Sequence, residues 1–343
     1  MKRLTMLKTC LPLLAGMLML SCEHKELCFD HDVHAPRTVV CIEAQYEQEW
    51  QYPWQGGTDW ATFPTWQTSF GMTYDTLRPA IPEGLRVQVY NADRSEEIIN
   101  LPPEGGIAHL RPGEHALLFY NNDTEYIVFD QMQSYASAKA TTRSRSRSSY
   151  RGNAFMDSDT PEYTVNPPDM LYGAYMDSIY VEKSTQADTM HVTLHPLVFT
   201  YLVRYEVEEG LEHVALARGA LAGMAKGVNL GNGRTSKEEA TLLYDATLTD
   251  FGVQALVKSF GIPDYPNPEY SRSSRPYALN LEVRLKDGSL QQFEFDVTEQ
   301  MEKQPHGGVI VVKGIKIEEA FGESGFDIGV DGWGNVIDIP LEL

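Results

Sequence analysis

Between Leu279 and Val297 the chain reads Leu-Asn-Leu-Glu-Val-Arg-Leu-Lys, turns at Asp287-Gly288, and resumes as Ser-Leu-Gln-Gln-Phe-Glu-Phe-Asp-Val. Successive side chains of an extended chain point to opposite faces, so this alternation gives each arm one apolar face. Asp-Gly supplies the positive φ that a tight hairpin turn requires. The stretch therefore predicts two antiparallel strands sharing a buried face. The same period recurs at Val40, Ile42, Ala44 and Tyr46, at Leu85, Val87 and Val89, in His115–Tyr120 and in Glu125–Asp130. It returns in Met190–Leu194, in the series Phe199, Tyr201, Val203, Tyr205 and Val207, from Val309 to Ile317, and at Ile337, Ile339 and Leu341. Short strands between Gly/Pro turns, with no convincing amphipathic helix, predict an all-β chain built of β-sandwiches. The alanine-rich stretch His213–Val228 shows no clear period, and Ser236–Leu243 (SKEEATLL) predicts one short helix.

Residues 134–153 interrupt the pattern with small polar residues and the tract Arg143-Ser144-Arg145-Ser146-Arg147. Such a stretch cannot bury apolar surface, which predicts a linker or a long exposed loop. The expected organisation is a leader over 1–21, a tether over 22–36, an N-terminal sandwich over 37–135, an Arg/Ser-rich linker over 136–153 and a C-terminal sandwich over 154–343.

The first residues have a chemistry of their own. Lys2 and Arg3 precede an apolar run, Cys10–Leu20, that is too short to span a bilayer as a helix and stops at Ser21-Cys22. Met19-Leu20-Ser21-Cys22 resembles the lipobox of bacterial lipoproteins. That resemblance implies cleavage before Cys22 and acylation of its sulfur and amine, a firm anchor without a membrane-spanning helix. Removing residues 1–21 takes away three positive charges, so the formal charge of −20 becomes −23. A chain this acidic is a poor partner for nucleic acid. Cys28 and Cys41 are the only other cysteines of the mature chain, as a bridge or as two thiols, so stability must come from packed cores.

Few residues point to chemistry. Cys28, His31 and His34 have zinc-ligand character, but no fourth ligand accompanies them. Asp327–Asn335 holds carboxylates among glycines without the spacing of a calcium loop, and a glycine-rich connection accounts for it. No nucleophile elbow, zinc-protease helix, phosphate loop or dinucleotide fingerprint occurs, so neither an enzyme nor a bound cofactor is expected. Four of the five tryptophans, Trp50, Trp54, Trp60 and Trp66, crowd one Gly/Pro-rich stretch. Flat indoles stack on sugars, which makes this loop a candidate glycan contact. Buried indoles capping a sandwich would look the same in sequence.

Beyond the lipobox, the segments CEHKELC with Asp30-His31, LHPLVFTYLVRYEV (194–207) and ALARGALAGMAKGVNL (215–230) resemble a family of Bacteroidales lipoproteins grouped with fimbrillins and minor, anchor-type fimbrial subunits. The resemblance implies two β-sandwich domains of transthyretin-like topology, lipoprotein export, and assembly with other fimbrial subunits by addition of a strand. It carries no catalytic residue, and only Cys22 transfers, as the acylated position. Polymerising fimbrillins lose their first strand to an arginine-specific protease. Here Arg37 lies before the first strand and the prominent arginines lie at 143–147, a departure that favours an anchor, tip or accessory subunit. Glu23 after Cys22 is not the aspartate of inner-membrane retention, so the outer membrane is the expected address. The expected function is a structural one, assembling or anchoring fimbria-like filaments; the alternative is glycan binding through Trp50–Trp66.

Overall fold

The computed structural model describes residues 37–54, 56–146, 163–267 and 276–319. Cys22, the candidate zinc ligands, the glycine-rich stretch at 327–335 and the expected strand at 337–341 lie outside the described residues. Among the described residues eighteen strands follow in chain order: β1 Thr38–Tyr46, β2 Leu85–Asn91, β3 Glu96–Leu101, β4 Gly105–Leu110, β5 Gly113–Asn121 and β6 Ile127–Asp130. Then come β7 Lys139–Thr142, β8 Tyr163–Val165, β9 Tyr172–Val181, β10 Asp188–Pro196, β11 Phe199–Glu209 and β12 Val214–Ala225. The last are β13 Gly227–Asn229, β14 Glu239–Thr249, β15 Gly252–Ser259, β16 Ala278–Leu285, β17 Leu290–Asp296 and β18 Gly308–Lys316. Two five-residue helices, α1 Trp66–Phe70 and α2 Thr298–Glu302, lie between strands. No helix among the described residues is long and apolar enough to cross a membrane.

The strands make two large sheets, each rolled around its own core, and the all-β, two-sandwich expectation holds. The first has the order β3-β2-β5-β9-β10-β1-β4. Val40, Ile42, Val87, Leu117 and Leu194 fill its interior. The second runs β17-β16-β12-β14-β15-β11-β18, with β8 beside β14. Tyr201, Val203, Leu242, Leu279, Leu281 and Ile310 are central to its core. A third sheet, β13-β7-β6, lays Ile127, Ala140 and Val228 against Leu118 and Tyr120 of β5. The Asp287-Gly288 hairpin forms as the sequence predicts: Gly288 has φ +93°, and β16 and β17 pair from Ala278–Asp296 to Arg284–Leu290.

Two local expectations fail for reasons of packing, and a stretch without a readable period proves to be a strand. Ser236–Leu243, expected as a helix, runs into β14, where Ala240 and Leu242 face the core. Burial overrides the helical preference of its Lys and Glu residues. His213–Val228, which has no apolar period, is mostly β12, a strand buried along both faces over its C-terminal half. Alanine and glycine suit that crowding: a Cβ on Gly219 would come within 2.2 Å of the Tyr244 ring. The expected linker at 136–153 is structured over its described part. Lys139–Thr142 forms β7 between β6 and β13, and the Arg145 amide donates to the Thr164 carbonyl.

The strand content of each sheet also departs from the expected boundary. β9 and β10, placed by sequence in the second sandwich, belong to the first sheet: β9 pairs with β5, and β10 lies parallel to β1. The chain passes to the second sheet between Pro196 and Phe199. A polar arginine tract marked a change of composition, whereas sheet membership is set by which apolar faces meet.

Candidate functional site

The tryptophan-rich segment leaves β1 of the first sheet and comes to rest on the outer face of the second. Residues of β11 alternate between two cores. Tyr201, Val203 and Tyr205 face the interior, and Leu202 faces outward into a layer made by Trp50, Trp60, Trp66, Phe70, Tyr74 and Leu77. Val309 of β18 joins that layer. Trp50 is 1% exposed, Trp66 6% and Trp60 7%. Their rings meet edge to face, with centroids 5.7 Å apart for Trp50–Trp66 and 5.8 Å for Trp60–Trp66, the arrangement that aromatic quadrupoles favour.

Two indoles of this layer find specific partners, while the buried Trp50 Nε1 has no hydrogen-bond partner among the described residues. The Trp60 indole donates to the Gln304 side-chain oxygen at 2.6 Å, and the Trp66 indole to the Trp60 carbonyl at 2.6 Å. Arg204 of β11 lies flat over Phe251 at 3.7 Å and donates to the Ser69 carbonyl at 2.9 Å. Burial lowers its pKa from the ordinary value, because the charged form is the one desolvated. His306, before β18, is stacked on Phe199 at 4.2 Å and meets Tyr265 at 3.8 Å, with neither ring nitrogen hydrogen-bonded. Its burial pushes the imidazole down to about 3, so it is neutral in the folded chain.

The candidate glycan platform is therefore not present as a surface. Trp50, Trp60 and Trp66 are buried among one another and offer no face to a sugar. Trp54 alone is half-buried, and its ring packs on Tyr265 at 5.2 Å. Gly/Pro spacing correctly predicted a loop, but nothing local in the sequence revealed the outward face of β11 waiting to be covered. Cys41 carries a free, half-buried thiol on β1, and Cys28 is outside the described residues. No group of His, Cys, Asp or Glu that could hold a metal occurs among the described residues.

A cleft of about 430 Å³ opens beside this layer, lined by Arg78, Ile81, Asn121, Asp169 and Leu256 among others. Its polar walls serve the fold. Asp169 accepts from the amides of Glu125 and Tyr126, Arg78 is held by Glu49 and Asp75, and the Tyr172 hydroxyl reaches the Ala80 carbonyl. The chemistry left to the surface is that of sheet edges. β3 and β4 end the first sheet, with Ile98 and Ile107 exposed, and β17 and β18 end the second.

Residues 73–245, just over half of the chain, match the family model described as "Domain of unknown function (DUF5119)". The chain belongs to that family. Across 313 residues it is 25% identical to a Bacteroides ovatus protein named "Putative fimbrium anchoring subunit Fim4B", covering 82% of this chain and 91% of that one. A crystal structure described as that of a "putative adhesin" from Bacteroides ovatus has the same fold, with a TM-score of 0.56 and 23% identity over 85% of this chain and 97% of the other. The fimbrial anchor protein Mfa2 from Porphyromonas gingivalis aligns over 80% of this chain and 90% of its own, with 10% identity and a TM-score of 0.43.

Proposed function

We propose that this chain is a structural subunit of the cell envelope that anchors fimbria-like filaments, held in the outer membrane by acyl chains on Cys22. The observation that carries the reading is its similarity, over 82% of this chain and 91% of the other, to a protein named as a fimbrium anchoring subunit. The geometry supports a non-repeating position. β1 is paired on both sides in its sheet, by β10 and β4, and runs directly into the buried tryptophan layer. No lysine or arginine lies between Arg37 and Arg78, so an arginine-specific protease has no site that would release β1 alone. The strand stays, and with it the role of a terminal subunit rather than a stalk unit. Partners would join through sheet edges, where main-chain hydrogen bonds supply affinity.

Deletion of the gene in a filament-bearing host tests this reading. The expected outcome is shed or depleted filaments with unchanged growth on glycans; normal filaments in electron micrographs would end it. Cys22→Ala should move the protein from the detergent phase to the aqueous phase, and unchanged partitioning would remove the lipid anchor.

A further inference from the structure

Five aromatic rings from four parts of the chain form one continuous series beside the tryptophan layer. Trp54 meets Tyr265 at 5.2 Å, Tyr265 meets His306 at 3.8 Å, His306 stacks on Phe199 at 4.2 Å, and Phe199 meets Tyr52 at 5.1 Å. The two outer rings, Tyr52 and Trp54, belong to residues 47–54, the strap that carries the chain from β1 to the tryptophan layer. The three inner rings belong to the second sheet and its loops: Phe199 opens β11, Tyr265 follows β15, and His306 precedes β18. Main-chain bonds run alongside. The Tyr52 amide donates to the His306 carbonyl at 2.9 Å, and the Ile262 amide to the Pro305 carbonyl at 3.0 Å.

The central ring is the unusual member. His306 is 5% exposed, and neither of its ring nitrogens has a hydrogen-bond partner. Gly261, with φ +98°, lies so close to the ring that a Cβ there would come within 2.3 Å of its Cδ2. Backbone rather than an acceptor covers that edge. A neutral imidazole keeps one N–H in either tautomer, so a donor is already buried without an acceptor. Taking up a proton would bury a second donor and a charge. Cation–π attraction from Phe199 and Tyr265 returns only part of that penalty.

Among the described residues the surroundings supply no counter-charge. Tyr52, Tyr201 and Tyr265 are phenols whose burial pushes their titration upward. Asp264, next to Tyr265 in the chain, is ion-paired to Arg234 at 2.8 Å and to Lys237 at 3.8 Å. On the side of α2, Lys303 is paired with Glu299 at 2.8 Å. At the other end of the strap the response to acid is reversed. His195 of β10 places Nδ1 2.9 Å from Glu47, which also accepts from the Tyr52 hydroxyl at 2.8 Å. The hydrogen bond from His195 holds the Glu47 carboxyl below the ordinary carboxylate range, so it stays an anion in mild acid. An imidazole that gains a proton beside an anion grips it harder.

We infer that residues 47–54 form an acid-sensitive clasp between the two sheets, fastened at neutral pH around the uncharged His306 ring and released from the second sheet when that ring takes up a proton. Glu47 and His195 keep the strap on the first sheet meanwhile. The opening frees Tyr52, Trp54 and the loop at 261–266, and both cores stay closed.

Amide hydrogen exchange of the full chain at about pH 7 and about pH 5, corrected for the intrinsic pH dependence of exchange, tests the clasp. Protection at Tyr52 and Ile262 should fall about tenfold or more between the two, because the open state binds a proton that the closed state excludes. At about pH 5 both amides should be about tenfold or more less protected than two others. One is Glu47, whose amide donates to the Leu194 carbonyl, and the other is Leu281, in the middle of β16 between two paired strands. His306→Leu should abolish the pH response at Tyr52 and Ile262, and His306→Gln takes its place if thermal unfolding shows that the first variant does not fold. Constant protection in the parent would overturn the clasp. Equal protection at all four amides would overturn it too, since the chain would then open only as a whole, as would a fall that persists in the variant.

Discussion

Along β18, the outer face toward Trp50, Trp60 and Trp66 is closed by a continuous aromatic layer, whereas the edge toward β17 is closed by the carboxamides of Gln291, Gln300 and Gln304. The two closures differ in kind. Apolar burial is non-directional and grows with area, so the tryptophan layer adds a large term to stability and joins β1 of the first sheet to β11 and β18 of the second. Carboxamides exchange one set of hydrogen bonds for another, and their net contribution is small. The face is committed to the fold by apolar area, whereas the carboxamides satisfy the edge at little energetic gain.

The comparison breaks first at the tryptophans. Trp66→Ala should destabilise by about 3–5 kcal/mol, the range for truncating a buried aromatic, as read from denaturant unfolding. A loss under about 1 kcal/mol would mean that the layer rests on β11 without holding it. Beneath the same layer His306 brings a pH dependence. Its folded value of about 3 lies below the ordinary 6.5, so protonation favours the unfolded chain. The contribution is complete above the ordinary value and is withdrawn as pH falls toward the folded one, by about 1.4 kcal/mol for each unit. Unfolding curves at about pH 7 and about pH 5 should separate accordingly for the parent and converge for His306→Leu. An unchanged separation in the variant would assign the acid sensitivity to other groups.

At the edge the effects shrink. Phe293→Ala should reduce stability by about 2 kcal/mol, roughly half the value for a fully buried ring, since half its surface is already in water. A loss equal to that of Trp66→Ala would show Phe293 to be held as firmly as the buried tryptophans. Gln300→Ala should reduce it by about 1 kcal/mol or less, near the resolution of the measurement. A much larger loss would show that the carboxamides contribute to stability on the scale of the tryptophans.

Particular residues mark how far the sequence could be read. Val40, Ile42, Leu279, Leu281 and Val283 announced their strands because alternation is a local consequence of the pleat, and all five are buried. The hairpin turn was equally local. β12 was illegible for the opposite reason: a strand buried on both faces loses its alternation, and its small residues answer to neighbours such as Tyr244 that lie elsewhere in the chain. The glutamine closures of β18 were hidden in the same way, since a glutamine that satisfies a backbone edge looks in sequence like any polar surface residue.

By itself the sequence determined that this is an all-β chain with strands at particular places, because the two-residue period, the turn chemistry and the apolar fraction act over a few residues at a time. It also placed four indoles in one loop. Only the tertiary structure decided that three of those indoles are buried and that β9 and β10 complete the first sheet. Each of these depends on contacts between residues far apart in the chain, where burial and shape decide which apolar face is covered and which edge is left open.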